Sequence, residues 1–210
     1  MQSMTPPTTE TKVTTTGQID KAVANYRALL EKHSGEFNTE AVQLVLGQPE
    51  LIREQLAVFH RRVEAVSNLI VRRATVNRNR TQQESLDATG RKQYTDREVV
   101  DSMPKGEGEE VEVVFFKPDL SERNGYISDD DLEKAFELRG LKPADPISIA
   151  AVNEADPAFA DENPHGTHWK NADGKRCFAA FFRWRGERRV DVRRNDHDWR
   201  GSWWFAGLRK

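Results

Sequence analysis

RCFAAFFRWRGERRVDVRR, residues 176–194, is the stretch on which the fold turns. An apolar run, Cys177–Phe182, is followed by Arg185-Gly186-Glu187 and then by a segment in which Val190 and Val192 alternate with Arg189, Asp191 and Arg193. Alternation with a period of two marks a strand with one buried and one wet face, and so short a connection joins antiparallel neighbours. The stretch therefore predicts a hairpin whose valines enter a core and whose Arg189, Asp191 and Arg193 share the open face.

Two further strand-like segments flank it, Thr167–Lys170 before and Trp203–Arg209 after, separated from it by Asn171-Ala172-Asp173-Gly174 and by residues 195–201. Short connections predict that the set continues as an antiparallel meander. Upstream, Glu110–Lys117 is rich in Val and Phe and predicts a strand that Pro118 ends. Ser128, with Asp131 three residues on and the run LEKAFELR behind it, predicts a capped helix closed by Gly140. Asp145-Pro146 and Asp156-Pro157 each place a capping side chain before a proline, the start of a short helix.

Further toward the N-terminus the period becomes that of a helix. Ile19, Val23, Tyr26 and Leu30 form one stripe that Gly35 stops, and a short helix begins at Asn38-Thr39 and ends at Gly47. From Pro49, the residues Ile52, Leu56, Phe59, Val63, Val66 and Ile70 recur in four-three steps and predict a helix over 49–73. The stripe is shorter than three heptads. Leu56 and Phe59 are therefore expected to be buried against the first helix of the same chain, with self-association via residues 49–73 or an unknown protein partner as the alternative. Arg72, Arg73, Arg78 and Arg80 read as a frayed helix end running into a linker, or else as a basic arm for phosphate.

These readings add up to an α+β chain. It comprises a disordered polar tail over 1–17, a helical hairpin or three-helix unit over 18–80, a joint over 81–109, and an α+β domain over 110–210 ending in a Trp-rich antiparallel meander. One cysteine, Cys177, allows no internal disulfide. The first 17 residues have no apolar signal region, and no apolar run approaches the roughly 20 residues that cross a bilayer. A cytoplasmic protein without membrane contact is the expectation.

The net charge of −2 hides an uneven distribution. Residues 84–168 carry 9 Lys/Arg against 21 Asp/Glu, whereas residues 169–210 carry 12 against 5. Either the acidic middle folds onto the basic end, which is the preferred expectation, or the basic end meets an anionic partner. The same basic end holds all five tryptophans. Aromatics interleaved with cations suit single-stranded nucleic acid, and they equally suit a small sheet that buries its rings.

No glycine-rich phosphate loop and no Gly-x-Ser-x-Gly elbow is present, which excludes the common enzyme classes that carry them. Asn124-Gly125-Tyr126-Ile127-Ser128 with Asp131 resembles the second half of a calcium loop. Leu120 would then stand at its first position, Glu122 at its third and Asp131 at its twelfth, so a capped helix is the preferred reading. His165, His168 and His197 are weak candidates for a metal site, since none shows ligand spacing, and Asp196-His197-Asp198 reads as a solvated turn. No cofactor is expected. The reading is a non-enzymatic binding or scaffolding protein acting through the C-terminal sheet, with Arg189, Arg193, Trp199, Arg200 and Trp203 as binding residues. A single-strand nucleic-acid-associated protein and a metal-dependent enzyme around the three histidines are the alternatives.

The stretch DPAFADENPHGTHWKNADGK (156–175), through CFAAFFRW (177–184) to DWRGSWWFAGLRK (198–210), resembles uncharacterised bacterial proteins known from genomes of uncultured lineages. The resemblance spans about the last 100 residues and implies a recurring domain. It carries no activity.

Overall fold

The computed structural model describes residues 14–118, 120 and 124–210. They form two compact units, divided between Val66 and Ser67.

The first unit is helical: α1 (Thr16–Lys32), a 3-10 turn (Ser34–Glu36), α2 (Thr39–Leu46) and α3 (Pro49–Ser67). Thr15 accepts from the Gln18 amide while the Gln18 side chain returns to the Thr15 amide, a reciprocal cap that starts α1 inside the segment expected to be a tail. Residues 1–13 of that tail lie outside the described residues. Asn38 caps α2 by accepting from the Ala41 amide at 3.0 Å. The stripe is where expected, but it is not buried. Leu56 is 64% exposed and Phe59 54%, and α1 and α2 contain no buried residue. Instead of interdigitating, the helices leave an open groove of about 540 Å³ lined by Tyr26, Leu30, Phe37, Val42 and Ile52.

The four-three pattern also overran its helix. α3 stops at Ser67, Asn68 takes a positive φ of 50°, and Leu69–Thr75 is a strand, β1. Ile70, read as the last member of the stripe, is buried in the core of the second unit. A short run of β-branched residues fits either period, and here pairing with Glu110–Phe116 in a seven-residue register decides it. The helical unit thus ends near 66, not 80. Arg78 and Arg80 are neither a frayed helix end nor a free arm. Arg78 donates to Asp145 Oδ1 and Ser148 Oγ, both at 2.8 Å, and Arg80 pairs with Glu154 at 2.6 Å.

The second unit continues with α4 (Gln82–Asp87), β2 (Lys92–Thr95), α5 (Arg97–Asp101), β3 (Glu110–Phe116), β4 (Tyr126–Ile127), α6 (Asp129–Glu137) and β5 (Leu141–Pro143). Then come α7 (Pro146–Ala155), α8 (Phe159–Glu162), β6 (His165–Lys170), β7 (Arg176–Trp184), β8 (Glu187–Arg194), β9 (Trp199–Arg200) and β10 (Trp204–Arg209). Residues 81–109, read as a joint with at most one short helix near 95–102, hold α5 within that span and also α4 and β2 before it. Elements of six, four and five residues are too short to display a period, and their caps at Thr81 and Asp96 were the available signal.

The α+β reading holds, with a mixed sheet ordered β1-β3-β10-β6-β7-β8-β2, β5 pairing with β10, and a separate β4–β9 ribbon. β6, β7 and β8 are the expected antiparallel meander. β10 does not extend it. The chain leaves β8, crosses the sheet through β9, and inserts β10 in the centre between β3 and β6, parallel to β6. Val113, Phe115, Phe181, Val190 and Val192 bury one face of the sheet under α4, α5, α7 and α8. The other face carries Val114, Phe116 and Phe205 beneath Leu132 and Phe136 of α6 and Trp199 of β9.

Candidate functional site

The site lies where this second cover stops. Val190 and Val192 are fully buried, as their alternation predicts, so Asp191 and Arg193 face the other way. On β7 the residues opposite them are Ala180 and Phe178, which with Phe182 give that face an aromatic floor. The segment 195–203 arches over one end. Asp129, at the first turn of α6, accepts from Asn195 Nδ2 at 2.9 and 3.0 Å and from Trp199 Nε1 at 2.8 Å, and β9 pairs with Tyr126–Ile127. Gly166 lets the Trp199 indole lie on the sheet, for a Cβ there would stand 2.9 Å from the Ala179 carbonyl and 3.4 Å from the ring.

The result is a cleft of about 420 Å³. Its rings meet edge to face: Phe178 and Trp199 at 5.4 Å, Trp199 and Trp203 at 6.0 Å, Phe182 and Trp203 at 5.5 Å between centroids. Trp199 is 7% exposed and belongs to the core, so the ring available to a ligand is that of the half-buried Trp203.

Asp191 is the unusual group of this cleft. Its Oδ1 is buried and has no hydrogen-bond partner. Burial pushes its carboxyl above the usual range, against the opposing pull of Arg193 and Arg189. Arg193 donates to the Tyr94 carbonyl at 3.3 Å. Neither Arg193 nor Arg200 makes an ion pair among the described residues, and both line the cleft. The side chain of His197 is 86% exposed, 3.4 Å from Asp196.

Of the predicted binding residues, Arg193, Trp199, Arg200 and Trp203 come together here, and Arg189 does not. Arg189 is held by Glu187 at 2.8 Å and lies 4.5 Å over the Tyr94 ring. Asp191, Phe178 and Phe182 line the cleft without having been singled out. Alternation already placed Asp191 on this face, but nothing in the sequence says that a sheet-face carboxylate will lack a partner.

The three histidines are not brought together. His165 is fully buried in the first core, where its Nδ1 donates to the Asn163 carbonyl at 2.7 Å and its Nε2 accepts from Asn153 Nδ2 at 2.9 Å. Burial pushes it down to about 3, so it is neutral. His168, three residues along the same strand, necessarily faces the opposite side, stacked on Phe136 and 3.6 Å from Asp129. Its burial likewise lowers its pKa, outweighing the carboxylates of Asp129 and Glu133. No group of three or more His, Cys, Asp or Glu among the described residues is placed to hold a metal ion. At the calcium-like segment, Asn124 and Gly125 take φ of 50° and 80°, and Ser128 caps α6 through the Asp131 amide at 3.3 Å. Glu122, its third position, lies outside the described residues.

The acidic middle reaches the basic end at many points. Arg176 pairs with Asp129, Asp130 and Glu133, Arg183 and Arg188 share Asp161, Arg194 meets Glu98, Arg209 meets Glu112 and Lys210 meets Glu137. Half of the 12 basic residues of 169–210 are thereby compensated within the chain.

No family model, no curated protein and no solved structure matches the chain. No helix among the described residues is long and apolar enough to cross a membrane.

Proposed function

We propose that the chain is a non-enzymatic binding protein of the cytoplasm. In this reading its cleft between β7, β8 and the 195–203 arch seats a planar aromatic group that carries hydrogen-bond donors and an attached anion. A nucleotide has this chemistry, whether free or within a single strand. The observation that carries the reading is the partnerless oxygen of Asp191 in an aromatic-floored cleft. An unpaired buried acceptor costs about 1–3 kcal/mol, and an amino or ring N–H of a bound base would relieve that cost. Stacking on Trp203 would add about 1–3 kcal/mol per base, and Arg193 and Arg200 would meet the phosphate.

The charge compensation supports a small footprint. With two unpaired arginines at the cleft, a bound single strand would neutralise about two phosphates, which corresponds to a log–log salt slope of about −1.4. The test titrates a mononucleotide set and a short single-stranded oligonucleotide into the full chain, following tryptophan fluorescence at about 50 and 200 mM salt. Saturable quenching that weakens in both Asp191→Asn and Arg193→Glu supports the reading. Equal affinity per site for mononucleotide and oligonucleotide points to the free nucleotide, and a gain with strand length points to the strand. Absence of quenching by either, or quenching indifferent to both substitutions, overturns it.

A further inference from the structure

The helical unit makes a separate demand. Among its described residues, fourteen large apolar side chains are exposed, including Ile52 at 63%, Leu56 at 64%, Phe59 at 54% and Val63 at 48%. Helices of 17 and 19 residues are marginal in water without a packed face, since most helical stability in proteins comes from burying an apolar stripe. We propose that this face is the interface between two copies of the chain, and that the unit completes its core by dimerising.

Three observations favour a second copy over other occupants. The stripes of α1 and α3 share one spacing, Ile19-Val23-Tyr26-Leu30 and Ile52-Leu56-Phe59-Val63, each in steps of four, three and four. Helices with a common period interdigitate at shallow crossing angles, so the patch is complementary to itself, which a two-fold interface requires. Two copies contribute four long helices, enough to enclose a bundle core that one copy leaves open.

The area is also sufficient. At roughly 80 Å² for each half-exposed apolar side chain, the two stripes together with Phe37, Val45 and Leu46 beside the groove offer on the order of 900 Å² per copy, against the roughly 800 Å² that each partner contributes to a standard interface. Charge argues the same way. Residues 14–66 carry six Lys/Arg and seven Asp/Glu, so two copies do not repel. The lysine- and arginine-rich polar face that an interfacial membrane helix uses is missing, because the polar positions of α3 mix Glu50 and Glu54 with Arg53 and Arg62.

Sedimentation equilibrium of the full chain between about 0.1 and 100 µM tests the proposal. The expected result is twice the chain mass at the high end, returning to a single chain on dilution. Leu56→Glu with Phe59→Glu should weaken association at least about tenfold, because each copy would carry two charges into the seam. Both positions are exposed in the single chain, and all five tryptophans lie in the second unit. Unchanged tryptophan fluorescence therefore certifies that the variant's sheet is intact. A single-chain mass at every concentration overturns the proposal, as does a dimer untouched by the double substitution. A monomer that binds zwitterionic or anionic lipid vesicles through this face overturns it in favour of a membrane surface.

Discussion

Leu56 and Phe59 of α3 and Leu132 and Phe136 of α6 are apolar pairs at same-face helical spacings, three residues apart in the first and four in the second, yet their environments are opposite. The first pair is 64% and 54% exposed, and the second is 0% and 1%. What separates them is the surface opposite. α6 lies on a sheet face that offers Phe116 4.9 Å from Phe136, whereas Leu56 and Phe59 stay exposed and do not line even the groove that Ile52 of the same helix lines. Amphipathic periodicity says which side of a helix seeks burial. It does not say what will bury it.

The largest expected effect would break this contrast most directly. Phe181→Ala should cost about 3–5 kcal/mol in denaturant unfolding, since the ring is fully buried against His165 and the first core. Phe59→Ala, measured where the chain is monomeric, should cost less than about 0.5 kcal/mol. A concentration-independent loss above about 2 kcal/mol at Phe59 would show that the helical unit has a closed core of its own.

Acid should act next, through His165 of the sheet unit. His165 has its pKa lowered from 6.5 to about 3, so the unfolded chain takes up a proton there that the folded chain refuses. Its contribution is complete above pH 6.5 and is lost as pH falls toward 3, at about 1.4 kcal/mol per pH unit. Urea midpoints of the tryptophan signal at pH 7, 6 and 5 should therefore decline together with acidity. A flat profile would mean that His165 can charge in place.

Arg193→Glu should weaken nucleotide binding about tenfold and lower the unfolding midpoint slightly, because it removes the bond to the Tyr94 carbonyl and the cation that faces Asp191. The smallest effect has the opposite sign. Asp191 has its pKa raised from 3.8, so its stabilising contribution is complete below that value and is lost as pH rises through the folded value. At pH 7 the carboxylate is a liability, and Asp191→Asn should raise the melting temperature by about 1–3 °C while impairing binding. A fall in melting temperature would assign Asp191 to the scaffold instead of the site.

What the sequence disclosed was local. The β7–β8 hairpin followed from the Val190/Val192 alternation, and the starts of α6 and α7 from Ser128 and from Asp145 before Pro146, where Asp145 accepts from the Ser148 amide at 2.8 Å. What stayed hidden depends on distant partners. Nothing within Leu69–Thr75 reveals that β3 lies 35 or more residues ahead, so Ile70 was drawn into the helical stripe. Nothing within 203–209 reveals that this strand passes over two neighbours. At the site, Arg193, Trp199, Arg200 and Trp203 were legible from composition and pattern. Asp129, which ties the arch down through Asn195 and Trp199, was not singled out, since nothing local distinguishes it from the acids that follow the Ser128 cap.

The central place of β10 has a consequence for synthesis. During vectorial synthesis from the N-terminus, residues 204–209 emerge after every other strand of the sheet, yet they are the seam between the β1–β3 pair and the β6–β7–β8 meander. Until they arrive, β3 and β6 each present an unpaired edge able to recruit strands from neighbouring nascent chains. A ribosome stalling just short of Trp204 would release two half-sheets with nothing to join them. Such products should depend on holdase chaperones to a degree that the completed chain does not.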